Sequence, residues 1–148
     1  MRLHDVLERD LIKVPLNGET KIAVLEELVD VLVQAKKASN REELLSAIIA
    51  RETLGSTGLV DGIAIPHAKT KAISSISLVL GITKKPIDFD AQDGKGSQLF
   101  FLVLAPEKEA SAYVELLASI ARATSSASLR RLLIAAKNAD EVMNLFFD

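Results

Sequence analysis

The sequence predicts an α/β protein: one domain over residues 1–148, a sandwich whose short mixed β-sheet is covered by helices on both sides. Three observations carry this expectation. Apolar residues recur at helical spacing through the first third of the chain. Two runs rich in β-branched and apolar residues, Ser75 to Thr83 and Ser97 to Ala105, occupy the middle. Helical spacing then returns from Ala110 onward. Strand order does not follow from this pattern.

The elements follow in order. A short, helical opening segment carries His4, read as structural or exposed. From about Thr20 to Lys36, residues Leu25, Leu28, Val29 and Leu32 share one helical face. Asn40 with Glu43 three residues later forms a capping-box pattern for a second helix carrying Leu44, Leu45, Ile48 and Ile49. That helix ends near Leu54-Gly55. Ser56 to Pro66 contains Gly58 and Gly62 and reads as a tightly turning loop that enters a short strand, Ile63-Ala64-Ile65. Of the two longer strands, Ser97 to Ala105 is the one expected at the centre of the sheet. Asp88-Phe89-Asp90 and Asp93-Gly94-Lys95-Gly96 mark a turn-rich connection between them. Ala110, Tyr113, Val114, Leu117, Ile120 and Ala121 form an apolar helical face, and further helices are expected near Ser128–Lys137 and Asp140–Phe147.

Bulk properties narrow the function. Apolar residues make up 49% and charged residues 26% of the chain, as in an ordinary soluble protein. A net charge of -2 argues against nucleic-acid binding, which needs an excess of Lys and Arg. Cysteine is absent, which removes disulfides, thiol catalysis and zinc-thiolate sites. The N-terminus lacks the basic start and apolar run of a signal peptide, and no uncharged apolar stretch approaches the ~20 residues of a membrane span. A cytoplasmic protein with no direct membrane insertion is the expectation.

Few side chains can do covalent chemistry. His67 follows Pro66 at the end of an apolar strand, and Pro66 stiffens the backbone that presents it. It reads either as a nucleophile held by a rigid scaffold or as a hydrogen-bonded structural histidine. Arg51 shares part of its helix face with Leu44 and Ile48. It is either the partner of an anion or a snorkelling side chain that complements the helix C-terminus. Gly55-Ser56-Thr57-Gly58 offers hydroxyls and backbone N–H groups suited to a phosphoryl group, yet has no Walker spacing and could be a plain turn. Asp61 could orient an imidazole or a cation, or favour the turn before Gly62. Two histidines and scattered carboxylates at no ligand-like spacing make a metal site unexpected. Glu26-Glu27 and Glu42-Glu43 read as solvated helix faces.

Together, Arg51-Glu52-Thr53-Leu54-Gly55-Ser56-Thr57-Gly58 and Gly62-Ile63-Ala64-Ile65-Pro66-His67 resemble the signature of type-2 enzyme IIA domains. These belong to the phosphoenolpyruvate-dependent sugar phosphotransferase system, in its fructose/mannitol and nitrogen-regulatory branches. Leu25–Leu28, Asn40–Leu45, Ile87–Ala91 with Asp93-Gly94, and Leu99–Pro106 extend the resemblance over essentially the whole chain.

The resemblance implies a phosphoryl carrier. His67 would accept a phosphoryl group from phospho-HPr and pass it to a IIB component, or hold it as a regulatory signal. Arg51 would neutralise phosphoryl oxygens, Ser56 and Thr57 would line the pocket, and Asp61 would stand beside the site. No cofactor is implied, because donor and acceptor are both proteins. Two positions depart from the family pattern. Tyr113 occupies the place of its usual second active-site histidine, and Ala68 replaces the glycine that usually follows the phosphorylated histidine. Tyrosine can donate a hydrogen bond but supplies no imidazolium charge. Those departures motivate an alternative expectation, a non-catalytic IIA-like regulatory module that binds a partner protein or transporter.

Overall fold

The computed structural model describes residues 1–147. Its helices are α1 (Leu3–Val6), α2 (Lys21–Gln34), α3 (Arg41–Thr53), α4 (Ala110–Ala123), α5 (Ala127–Ala135) and α6 (Ala139–Phe147). The strands are β1 (Ile12–Leu16), β2 (Ile63–Ala64), β3 (His67–Lys69), β4 (Ser77–Ile87) and β5 (Ser97–Ala105). They form one mixed sheet in the order β1-β4-β5-β2, with β3 also paired to β5. β4 and β5 run antiparallel, whereas β1 lies parallel to β4, and β2 and β3 lie parallel to β5.

Alternation along β5 explains the two covered faces. Phe100, Leu102 and Leu104 join Val79 on the side of α2 and α3, packed with Leu25, Leu28, Leu44 and Ile48. Leu99, Phe101 and Val103 join Leu78, Leu80 and Ile82 on the other side, packed with Leu116, Ile120, Leu133 and Val142. A strand buried on both faces carries no polar alternation, which is why Ser97–Ala105 reads as a continuous apolar run. Each fully buried Leu, Ile or Phe contributes about 1.5–3 kcal/mol over its exposed state. At Gly81 a Cβ would lie 2.5 Å from Leu16 Cδ1 and 2.8 Å from Leu28 Cδ2, so its absence lets α2 approach the sheet closely.

The expected sandwich is the observed one, with three differences of detail, the first being the additional strand β3. β1 was unforeseen: it is short and contains Pro15, and as the edge strand beside β4 it can accommodate a residue that has no N–H. β4 continues beyond Thr83 to Ile87, with a register irregularity between Ile82 and Ile87. The expected cap at Asn40 is present, and the structure adds one at Thr20. Thr20 Oγ1 accepts the Ala23 N–H at 3.1 Å, and Asn40 Oδ1 accepts the Glu43 N–H at 3.1 Å. The reciprocal contact runs from Asn40 Nδ2 to Glu43 Oε2 at 3.1 Å, a variant of the capping box.

Glu27 departs from its expected solvated role. Its carboxylate takes the N–H groups of Asn17 and Gly18 and pairs with Lys13 Nζ at 2.8 Å, tying α2 to the end of β1. His4 is exposed, as expected, and its Nε2 donates to the Phe146 carbonyl at 2.9 Å. Among the described residues, no helix is long and apolar enough to cross a membrane.

Candidate functional site

β2 and β3 lie along the same side of β5, pairing with its residues 99–100 and 103–105. They amount to one edge strand interrupted at Ile65-Pro66. Pro66 has no N–H to donate to a sheet ladder, although its carbonyl still accepts the Val103 N–H at 2.9 Å. The Ile65 N–H leaves the ladder as well and donates to the Thr57 carbonyl at 3.1 Å. His67 therefore begins β3 after a break, rather than ending a strand as the sequence suggested.

His67 is half-buried. Its Nδ1–H donates to the Ile65 carbonyl at 2.7 Å, which leaves Nε2 as the unprotonated nitrogen of the neutral ring. Burial pulls its pKa below the ordinary 6.5, and the Arg51 charge acts in the same direction. The bond to the Ile65 carbonyl and the charge of Glu52 oppose this without cancelling it. Lowering of the pKa favours the neutral imidazole at pH 7.

Tyr113, in the first turns of α4, packs against His67 with ring centroids 5.8 Å apart and planes at 58°. Its ring faces the apolar layer shared by Leu116 and Ile120. Burial pushes the phenol pKa up to about 12, with Arg51 opposing, so the hydroxyl stays protonated and able to donate. Lys69 Nζ lies 5.7 Å from the same ring.

Arg51 sits in the last turn of α3, half-buried, and its Nη1 donates to the Gly55 carbonyl at 2.9 Å. Among the described residues no carboxylate is paired with it. Its position complements the helix C-terminus, and most of its donors remain open to an incoming anion.

Ser56, Thr57 and Asp61 each make contacts within the protein. The Ser56 hydroxyl donates to the Phe89 carbonyl at 2.6 Å and accepts the Gly58 N–H at 3.0 Å. Thr57 is 4% exposed, and its N–H and hydroxyl both bind Glu52. Both hydroxyls hold the loop in shape. Asp61, exposed at φ 60°, stands 3.8 Å from Arg130 of α5, and the group that holds the imidazole is the Ile65 carbonyl. The loop also demands Gly58, where a Cβ would lie 2.9 Å from both Ala91 Cα and the Phe89 carbonyl oxygen.

Glu52 is the residue that sequence reasoning missed. Its side chain is 6% exposed and pairs with Lys21 Nζ at 2.8 Å. A usable signal existed: a carboxylate one residue from Arg51 points about 100° round the helix, towards different neighbours. A cavity of about 580 Å³ lies elsewhere, between Val33–Ser39 and Lys71–Ser74, and no site residue lines it.

Residues 5–148 match the family model described as the phosphoenolpyruvate-dependent sugar phosphotransferase system, EIIA 2. A nitrogen regulatory protein of Pseudomonas aeruginosa is 36% identical over 100% of this chain and 96% of its own length. The fructose-specific EIIABC component of Bacillus subtilis is 30% identical over 98% of this chain, which spans only 23% of that relative's length. The crystal structure of nitrogen regulatory protein IIA-Ntr from Neisseria meningitidis superposes with a TM-score of 0.88 at 30% identity, covering 95% of this chain and 96% of that one. Enzyme IIA mannitol of Escherichia coli, in its complex with phosphorylated enzyme IIB mannitol, shares the fold with a TM-score of 0.79 at 21% identity, covering 94% and 95%.

Proposed function

The chain belongs to the EIIA 2 family of the phosphoenolpyruvate-dependent sugar phosphotransferase system, and on that premise we propose that it is a cytoplasmic phosphoryl carrier that works through Nε2 of His67. The observation that carries this reading is the hydrogen bond from Nδ1–H of His67 to the Ile65 carbonyl, at 2.7 Å. It leaves the lone pair at Nε2, in a ring whose neutral form burial favours.

The step balances simply. Nε2 attacks the phosphorus of a phosphohistidine on an HPr-like donor, the donor's N–P bond breaks, and the new N–P bond forms at Nε2. Nδ1 keeps its proton, and the positive charge gained by the ring is eased by the Ile65 carbonyl. Arg51, which has no carboxylate partner among the described residues, approaches the phosphoryl oxygens, and the protonated Tyr113 hydroxyl supplies a further donor. Phosphoryl transfer needs positioning and charge stabilisation above all, which these groups offer without metal or nucleotide. Leu54, Val60 and Val114 are exposed apolar residues next in sequence or near it to Arg51, Asp61 and Tyr113, as a transient protein-docking face would require. Onward transfer goes to a IIB component or to a regulatory target. Relatives named as a fructose-specific EIIABC component and as a nitrogen regulatory protein both match this chain, in keeping with either outlet.

The test is direct. Protein incubated with phosphoenolpyruvate, enzyme I and a competent HPr should gain one acid-labile phosphoryl group, and His67→Ala should gain none. Absence of any mass gain in the unmodified protein, with a stable pull-down partner instead, would favour the non-catalytic module that Tyr113 and Ala68 suggest.

A further inference from the structure

Phosphoryl chemistry at His67 does not itself call for Glu52, yet Glu52 is a carboxylate with a side chain only 6% exposed. Burying a lone carboxylate costs several kcal/mol, so its partners must account for it. Oε2 pairs with Lys21 Nζ at 2.8 Å and accepts the Thr57 N–H at 3.2 Å, while Oε1 accepts the Thr57 hydroxyl. Lys21 is anchored in turn, 4.7 Å over the Phe89 ring and 3.6 Å from Asp90. Both oxygens are therefore engaged, and Thr57 is gripped at backbone and side chain together.

The grip continues towards His67. The Thr57 carbonyl accepts the Ile65 N–H at 3.1 Å, and the Ile65 carbonyl accepts Nδ1–H of His67 at 2.7 Å. Pro66 confines Ile65 to extended conformations, so once the Ile65 N–H is fixed its carbonyl has little freedom to turn. We propose that Glu52 is a positioning residue for His67, acting through the relay Glu52–Thr57–Ile65–His67, with Lys21 as its counter-charge. The proposal deepens the phosphoryl-carrier reading and rests on it for its consequence, the protonation of Nδ1 and the aim of Nε2.

The experiment uses the full chain with 15N-labelled histidine. Ring-nitrogen shifts at neutral pH give the His67 tautomer, and initial rates of phosphorylation by phospho-HPr give the chemical consequence. The unmodified protein should show a single Nδ1–H tautomer. Glu52→Gln and Thr57→Val should each mix the tautomers and slow phosphorylation about tenfold, the scale on which outer hydrogen-bond partners act. The double variant should be no slower than the slower single, because both cut the same relay. Multiplying losses, or an unchanged tautomer in both singles, would overturn the proposal.

Lys21→Met/Glu52→Gln separates positioning from simple anchoring. It removes both charges of the pair, so stability should recover relative to Glu52→Gln while the mixed tautomers persist; recovery of the single tautomer and the rate would assign the pair to anchoring alone. If Glu52→Gln does not fold, Thr57→Val, close in shape, decides by itself. If the unmodified protein takes no phosphoryl group, the carrier reading fails while the tautomer measurement still decides the relay.

Discussion

The carbonyl oxygen of Ile65 lies 2.7 Å from Nδ1 of His67, two residues along the chain and across Pro66. This contact makes a short stretch of edge strand into a device that fixes a histidine tautomer. It exists because the strand is interrupted: an uninterrupted ladder would have used the Ile65 groups for pairing with β5.

The first expected outcome concerns pH. His67 has its pKa lowered from 6.5, chiefly by burial, so Nε2 keeps its lone pair below that value. The pH profile of phosphoryl acceptance should have its acidic inflection below 6.5; an inflection above it would contradict the burial argument. The folded protein also holds fewer protons at this site than the unfolded chain. Stability contributed here is therefore present above the unfolded pKa and declines as pH falls through the folded one. His67→Gln should flatten that part of the stability profile measured by denaturant titration.

Among the described residues the Arg51 side chain makes one hydrogen bond, to the Gly55 carbonyl. Arg51→Ala should leave the thermal midpoint nearly unchanged and lower the phosphorylation rate by about 10³-fold, the low end for a phosphoryl-stabilising arginine. Arg51→Lys should recover only part of the rate, since an ammonium cannot reproduce the guanidinium fork. A variant that unfolds but keeps normal activity per folded molecule would make Arg51 structural.

Tyr113 can be tested by removing its hydroxyl alone. The ring is 8% exposed and packs in an apolar layer, so Tyr113→Phe should fold normally. Loss of one hydrogen bond to a charged phosphoryl group, worth about 1.5–3 kcal/mol, should slow phosphorylation roughly ten- to a hundredfold. Tyr113→His should restore a group able to carry positive charge, and rapid-quench kinetics with a IIB acceptor should show faster onward transfer than Tyr113→Phe.

Gly58 tests the loop. The atoms a Cβ would meet, Ala91 Cα and the Phe89 carbonyl oxygen at 2.9 Å each, belong to backbone and cannot swing aside. Gly58→Ala should cost about 1–3 kcal/mol, the scale of overpacking. It should also slow phosphorylation, because Ser56 and Thr57 are held on either side by Phe89 and Glu52. Calorimetry beside the rate measurement checks both.

Much of this protein was legible before its structure. The helices over Lys21–Gln34 and Arg41–Thr53 and the buried strand Ser97–Ala105 were evident because apolar spacing and caps are local properties of the chain. His67, Arg51 and Tyr113 were legible as candidates through their chemistry and the family spacing, and the fold brings Tyr113 and the Arg51 charge to bear on His67. Local pattern could not reveal β1, whose five residues with Pro15 become a strand only because β4 offers an edge.

Nor could it show that the Ser56 and Thr57 hydroxyls turn inward, that Asp61 faces Arg130, or that Glu52 is buried against Lys21. Each of those outcomes depends on a partner between 31 and 69 residues away, or on how a loop of no regular period folds back on α3. Sequence by itself determined which groups were present and which elements would carry them, since those follow from residue type and spacing. Tertiary structure alone decided which hydrogen-bond partners they met. A buried donor or acceptor is satisfied by whatever the packing brings within about 3 Å, and packing is a property of the whole chain.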